Sequence, residues 1–151
     1  MCGCTNSLAC NGKVGAMKIV LGGSRQLSFL PEDVMENLDS WMRDDAQFLL
    51  GEAKGTDAKF QEYFKFRKYK NIQIFYSGDF ARHNFGDWPT FKIESGLKSK
   101  SHAMHAAKDR EMTAQAETGL MIWDTLSAGT LSNILDLLDQ GKACQMYVAG
   151  D

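Results

Sequence analysis

At 151 residues, with 44% hydrophobic and 11% aromatic side chains, the chain has the length of one domain and can fill a core, which excludes a wholly disordered or fibrous protein. Seventeen Lys and Arg against nineteen Asp and Glu leave a formal charge of −2. That balance excludes a uniformly basic surface for nucleic acid or anionic lipid, and no apolar run approaches the roughly 20 residues that span a bilayer.

Residues 1–16, MCGCTNSLACNGKVGA, are polar and rich in Gly and Asn, and are expected to form a flexible tail. They lack a basic stretch followed by an apolar one, so no secretory signal is expected and a cytoplasmic location follows. Cys2, Cys4 and Cys10 supply three thiols without an obvious fourth ligand, so no metal is assigned to them. Cys144, within an apolar run, reads as a small buried core residue.

The single folding unit runs from 17 to 151. Met17–Gly22 (MKIVLG) reads as a buried strand. Pro31 opens a helix to about Asp44, with acidic residues in its first turn and Val34, Leu38, Trp41 and Met42 on its apolar face. Gln47–Gly51 is the second strand, Thr56–Tyr69 the second helix and Asn71–Tyr76 the third strand. Ser77–Lys100 carries Gly, Pro and aromatics without periodicity and is expected to be a long loop or lid. Ser101–Glu117 is an Ala-rich helix and Gly119–Asp124 the fourth strand. The turn Thr125–Gly129 leads into a helix to about Gln140, stopped by Gly141, and Cys144–Val148 is the fifth strand. Alternating strands and helices predict an α/β, Rossmann-like single domain of about five parallel strands with helices on both faces.

Ligands of such sheets bind beyond the carboxyl ends of the strands. Small and polar residues gather at those ends: Gly22-Gly23-Ser24-Arg25 after the first strand, Gly51 to Asp57 after the second, Asp124 to Thr130 after the fourth. Glycines let backbone N–H groups approach an anion, and the N-termini of the following helices point at it. Arg25 can pair with a phosphate through two N–H groups, while Asp57 and Asp124 can accept from sugar hydroxyls or a base edge. Each turn alone is also what an ordinary strand-to-helix connection looks like. Three on one edge point to a site for a phosphate or ribose group.

The motifs G-G-S-R, G-x-A-x-G-x-D, K-D-R-x-M from Lys108, and W-D-x-x-S-x-G-T from Trp123 resemble the SLOG superfamily over roughly Met17 to Val148. That group includes the "Lonely guy" and DNA-processing protein A families, and the chain is most similar to its small YspA-like branch. The resemblance implies a site for a nucleotide or a nucleotide-derived small molecule, built from Gly23, Ser24 and Arg25, from Gly51, Gly55 and Asp57, from Lys108, Asp109, Arg110 and Met112, and from Asp124, Ser127, Gly129 and Thr130. It also implies a homodimer.

One departure bears on chemistry. Members that cleave N-glycosidic bonds carry a glutamate three residues after the Gly-Thr pair, and here Asn133 stands there. An amide cannot act as the nucleophile or stabilise an oxocarbenium-like centre. The sequence thus favours a sensor or sequestering protein. The alternative is an N-glycosidic hydrolase or transferase in which Glu52 or another carboxylate compensates. A weaker reading, a nucleic-acid-associated module, rests on the basic run Lys65–Lys70. His83, His102 and His105 lack a fourth ligand for a metal, and Phe85, Trp88 and Phe91 either stack on a base or anchor their loop. Without a Walker loop, an intact G-x-G-x-x-G or a Ser-His-Asp order, no cofactor is assigned.

Overall fold

A computed structural model describes residues 17–94 and 102–149, with backbone alone described at 102–105. The N-terminal tail with Cys2, Cys4 and Cys10 lies outside the described residues, as do the side chains of His102 and His105. The elements run β1 (Lys18–Gly23), α1 (Glu32–Arg43), β2 (Gln47–Leu50), α2 (Thr56–Arg67), β3 (Ile72–Tyr76), β4 (Thr90–Lys92), α3 (His102–Gln115), β5 (Thr118–Trp123), α4 (Ala128–Asp139) and β6 (Ala143–Val148). The strands form one sheet in the order β4-β3-β2-β1-β5-β6, with every pairing parallel. The Rossmann-like α/β architecture is as expected.

The strand count is six rather than five. β4 comes from Ser77–Lys100, the segment expected to be loop, and pairs Ile74 with Thr90 and Tyr76 with Lys92. It escapes sequence reading because it has three exposed residues at the sheet edge, too few to show a period. Phe91 stacks on Phe75 with ring centroids 5.2 Å apart. Trp88 is buried, and its indole N–H donates to the Tyr69 carbonyl at 2.9 Å. The described part of this segment is therefore anchored to the domain body, and Trp88 and Phe91 are its anchors.

Alternation along the strands separates two cores. Ile19, Leu21, Phe48, Leu50, Ile72, Ile74, Leu120 and Ile122 face one side and meet Val34, Leu38 and Met42 of α1 with Phe60 and Phe64 of α2. Val20, Leu49, Phe75 and Met121 face the other and meet Met112 and Ala116 of α3 with Ile134 and Leu137 of α4. Strands covered on both faces are apolar at successive positions, which is why short runs such as QFLL were legible. Cys144 is only half-buried, because β6 is an edge strand; burial still pushes its thiol up to about 11.

Phe48 sits fully buried at the centre of the first core, 4.6 Å from the Phe64 ring and 5.7 Å from Tyr69. Phe48→Ala is expected to cost about 3–5 kcal/mol by transfer and cavity terms. Urea unfolding followed by circular dichroism measures it, and a loss below about 1 kcal/mol would contradict the assigned core.

Candidate functional site

From β1 the chain builds outward through β2, β3 and β4, then returns to place β5 and β6 on the other side. Strand order therefore reverses between β1 and β5, and the connections leaving their carboxyl ends diverge to open a crevice. A cleft of about 820 Å³ lies there.

The predicted site residues converge on it. Gly23 and Arg25 reach it from β1, Gly51 and Asp57 from β2, and Lys108, Asp109, Arg110 and Met112 from α3. Asp124, Ser127, Gly129 and Thr130 close the far side from β5 and α4. Ser24 and Gly55 do not line the cleft; they hold its rim together. The Ser24 Oγ accepts the Asp124 N–H at 3.0 Å, its N–H donates to the Ile122 carbonyl at 2.9 Å, and its carbonyl accepts the Thr56 hydroxyl. Gly55 has φ of 88°, and a Cβ there would stand 2.0 Å from the Arg25 carbonyl oxygen.

The end of the cleft at α4 suits an anion. Ser127 occupies the N-cap without a side-chain capping bond, and a Cβ at Gly129 would meet nothing within 4 Å. The first-turn N–H groups of α4 thus border open space beside the positive end of the helix dipole. Arg25 is exposed and has no ion pair with a described residue. Asp124 lines the cleft and is also bonded within its own turn. Its Oδ1 accepts the N–H groups of Leu126 at 2.8 Å and Ser127 at 2.7 Å, and these bonds hold its carboxyl below the ordinary range. It shapes the turn that presents α4.

The other end is crowded with charge. Glu52 is 3% exposed and lies beneath the cleft surface. The Arg82 guanidinium grips it from Nε at 3.0 and 3.1 Å and from Nη2 at 2.5 Å, and the Arg82 backbone N–H adds a bond at 3.2 Å. The Lys108 Nζ stands 3.7 Å from Oε2. Burial opposes the charge on Glu52, but these partners outweigh it and lower its pKa. Asp57 lines the cleft alongside, with Oδ2 accepting the Ala53 N–H at 3.3 Å. Burial pushes its carboxyl up to about 6, with Lys108 pulling down and Asp109 and Glu52 pushing up. Gly51 is needed because a Cβ would lie 2.5 Å from the Asp57 Oδ2 and 3.3 Å from the Lys108 Nζ.

Other constellations resolve simply. The His83 Nδ1 lies 2.8 Å from the Glu52 carbonyl, and the buried Gln61 amide binds the carbonyls of Gly51 and His83, each at 3.1 Å. In the basic run, Arg67 pairs with Asp39 at 2.6 Å, Tyr69 packs inward and Phe66 is exposed. Arg110 sits at the rim, 3.6 Å from Asp136, while Met112 is buried in the second core and offers the cleft only its edge. Gln26, Lys54, Arg82, Thr113, Ser132 and Asn133 also line the cleft. Lys54 lies within the G-x-A-x-G-x-D stretch and Gln26 follows G-G-S-R, and that placement is the only signal for them in the sequence. Among the described residues no group of His, Cys, Asp and Glu is placed to hold a metal ion, and no helix is long and apolar enough to cross a membrane. Comparison of the chain with protein-family models, curated proteins and solved structures gives no match.

Two variants test this electrostatic arrangement. The folded pKa of Asp57 lies above its ordinary 3.8, so its contribution favours folding below that value and is lost as pH rises through about 6. Asp57→Asn should therefore stabilise the protein at neutral pH by about 2 kcal/mol, with the gain shrinking towards pH 4. Urea titrations at the two pH values check the sign. Arg82→Ala removes the main partner of a buried carboxylate and should cost about 2 kcal/mol at neutral pH, discounted because the Arg82 head is partly solvated. An unchanged urea midpoint would show that the Glu52 clasp is not structural.

Proposed function

We propose that this chain is a cytoplasmic nucleotide-binding protein that senses or sequesters a nucleotide or nucleotide-derived small molecule. One observation carries the reading. The N-terminus of α4, without a side-chain cap and with Gly129 open, faces the same cleft as Arg25, which has no ion pair among the described residues, at the point where strand order reverses. A phosphate there receives backbone N–H groups, a helix dipole and a guanidinium fork together. The motifs that resemble the SLOG superfamily fall on the same cleft and support it.

The glycosidic-bond reading has less support. Asn133 lines the cleft where a catalytic carboxylate is needed, and Glu52 is bound by Arg82 and Lys108 below its surface. The nucleic-acid reading has less again, since Arg67 in the basic run is taken by Asp39.

The test is a thermal-shift and calorimetric screen of the full chain against nucleoside mono-, di- and triphosphates and cyclic nucleotides. Ligand at 100 times Kd should add about 2.7 kcal/mol of stability, and the nucleotide should be recovered intact. Arg25→Ala should weaken binding roughly tenfold to a hundredfold with the fold preserved. Release of free base would replace this reading with the enzymatic one.

A further inference from the structure

The two ends of the cleft differ in the chemistry they accept, and the acidic end is the more specific. Lys108 is the first observation. Its side chain is only 5% exposed, it lines the cleft beside Gly51, and its Nζ stands 3.7 Å from the Glu52 Oε2. Among the described residues its ammonium makes no hydrogen bond, so donors are left unfilled in a site where filling them is worth most. Asp57 is the second. Its Oδ2 is fixed by the Ala53 N–H, and among the described residues the carboxylate accepts no other hydrogen bond. Gly51 clears the space between them, because a Cβ would press on both groups.

A donor and an acceptor side by side do not fit a phosphate. Phosphate oxygens only accept, and here they would face the carboxylates of Asp57, Asp109 and Glu52 while Arg82 is occupied by Glu52. A hydroxyl is neutral, and it donates to a carboxylate while accepting from an ammonium. The site has two such groups to offer, which matches a pair of neighbouring hydroxyls. β2 and β5 flank β1, so the groups that follow β2 and those that follow β5 reach the one cleft from opposite sides of β1.

We propose that Asp57 and Lys108 read the vicinal hydroxyls of a ribose whose phosphate lies at α4 and Arg25, so that the protein selects ribonucleotides over deoxyribonucleotides. The selection rests on the nucleotide reading above and deepens it.

The decisive probes differ by one hydroxyl: ribose 5-phosphate against 2-deoxyribose 5-phosphate, and each common ribonucleoside 5′-monophosphate against its 2′-deoxy counterpart. Binding to the full-length chain is measured by calorimetry or by NMR shifts. The ribo form should bind roughly tenfold to a hundredfold more tightly. Asp57→Ala should bring the ratio close to one. Asp57→Asn, which keeps a neutral acceptor and a folded chain, should reduce it partway and decides the matter if the alanine variant does not fold. The groups facing Asp57 are Glu52 at the end of β2, Lys108 and Asp109 on α3, and Arg82 after β3. Protonation of Asp57 replaces its charged acceptor with a weaker neutral one, so the ratio in the unmodified protein should fall as pH drops through about 6 and stay flat in Asp57→Asn. Equal affinity for ribo and deoxy forms would overturn the hydroxyl reading and leave the nucleotide reading standing. A ratio unchanged in both Asp57 variants would remove Asp57 from it. Binding by none of the probes would overturn both.

Discussion

The carboxylate of Glu52 is buried at the end of β2, and a charge in that position must be met on every side that water does not reach. An unpaired buried carboxylate costs several kcal/mol, so the elements that supply its partners are constrained together. Arg82 is carried by the β3–β4 connection and Lys108 by α3. The Glu52 carbonyl meets the His83 ring, and Gln61 of α2 ties the carbonyls of Gly51 and His83 and accepts the Phe85 N–H at 3.0 Å. An irregular segment without a helix is thereby held against the sheet, and its continuation pairs as β4. The same carboxylate draws Lys108 to the floor of the cleft.

The polarity of the cleft follows from that constraint. Glu52 occupies Arg82 and only partly satisfies Lys108, so the β2 side keeps an ammonium with open donors and a carboxylate, Asp57, with open acceptor capacity. On the other side Asp124 directs its carboxylate onto the N–H groups of Leu126 and Ser127 in the turn before α4, while Gly129 in the first turn borders open space. The glycines divide between these tasks. Gly51 makes room for charged side chains, Gly55 for the Arg25 backbone, and Gly129 leaves its surroundings open. The rise in the Asp57 pKa marks it as a group whose charge costs the fold something, a common property of residues retained for binding or chemistry.

Much of this was legible in the chain. The α/β class, the order of the main elements and the gathering of Gly, Ser, Arg and Asp at strand ends follow from periodicity and turn chemistry, which are local. All the predicted site residues except Ser24 and Gly55 border one cleft. β4 is not legible because its three residues have no periodic face, and its place depends on Phe75 and Tyr69 from other elements, which meet Phe91 and Trp88. The backbone bonds of Asp124 and Ser24 are not legible in the chain, because a polar residue at a strand end looks the same whether its partner is a ligand or a backbone N–H.

By itself the sequence determined where strands, helices and glycine turns fall, because burial patterns and φ preferences act within a few residues. Only the tertiary structure decided which charges face the ligand. Glu52 and Asp57 are five positions apart and chemically alike, yet one is clasped by Arg82 from 30 residues away and the other is left open beside Lys108. Electrostatic pairing depends on distance in space and on solvent exclusion, and neither is set by neighbours in the chain.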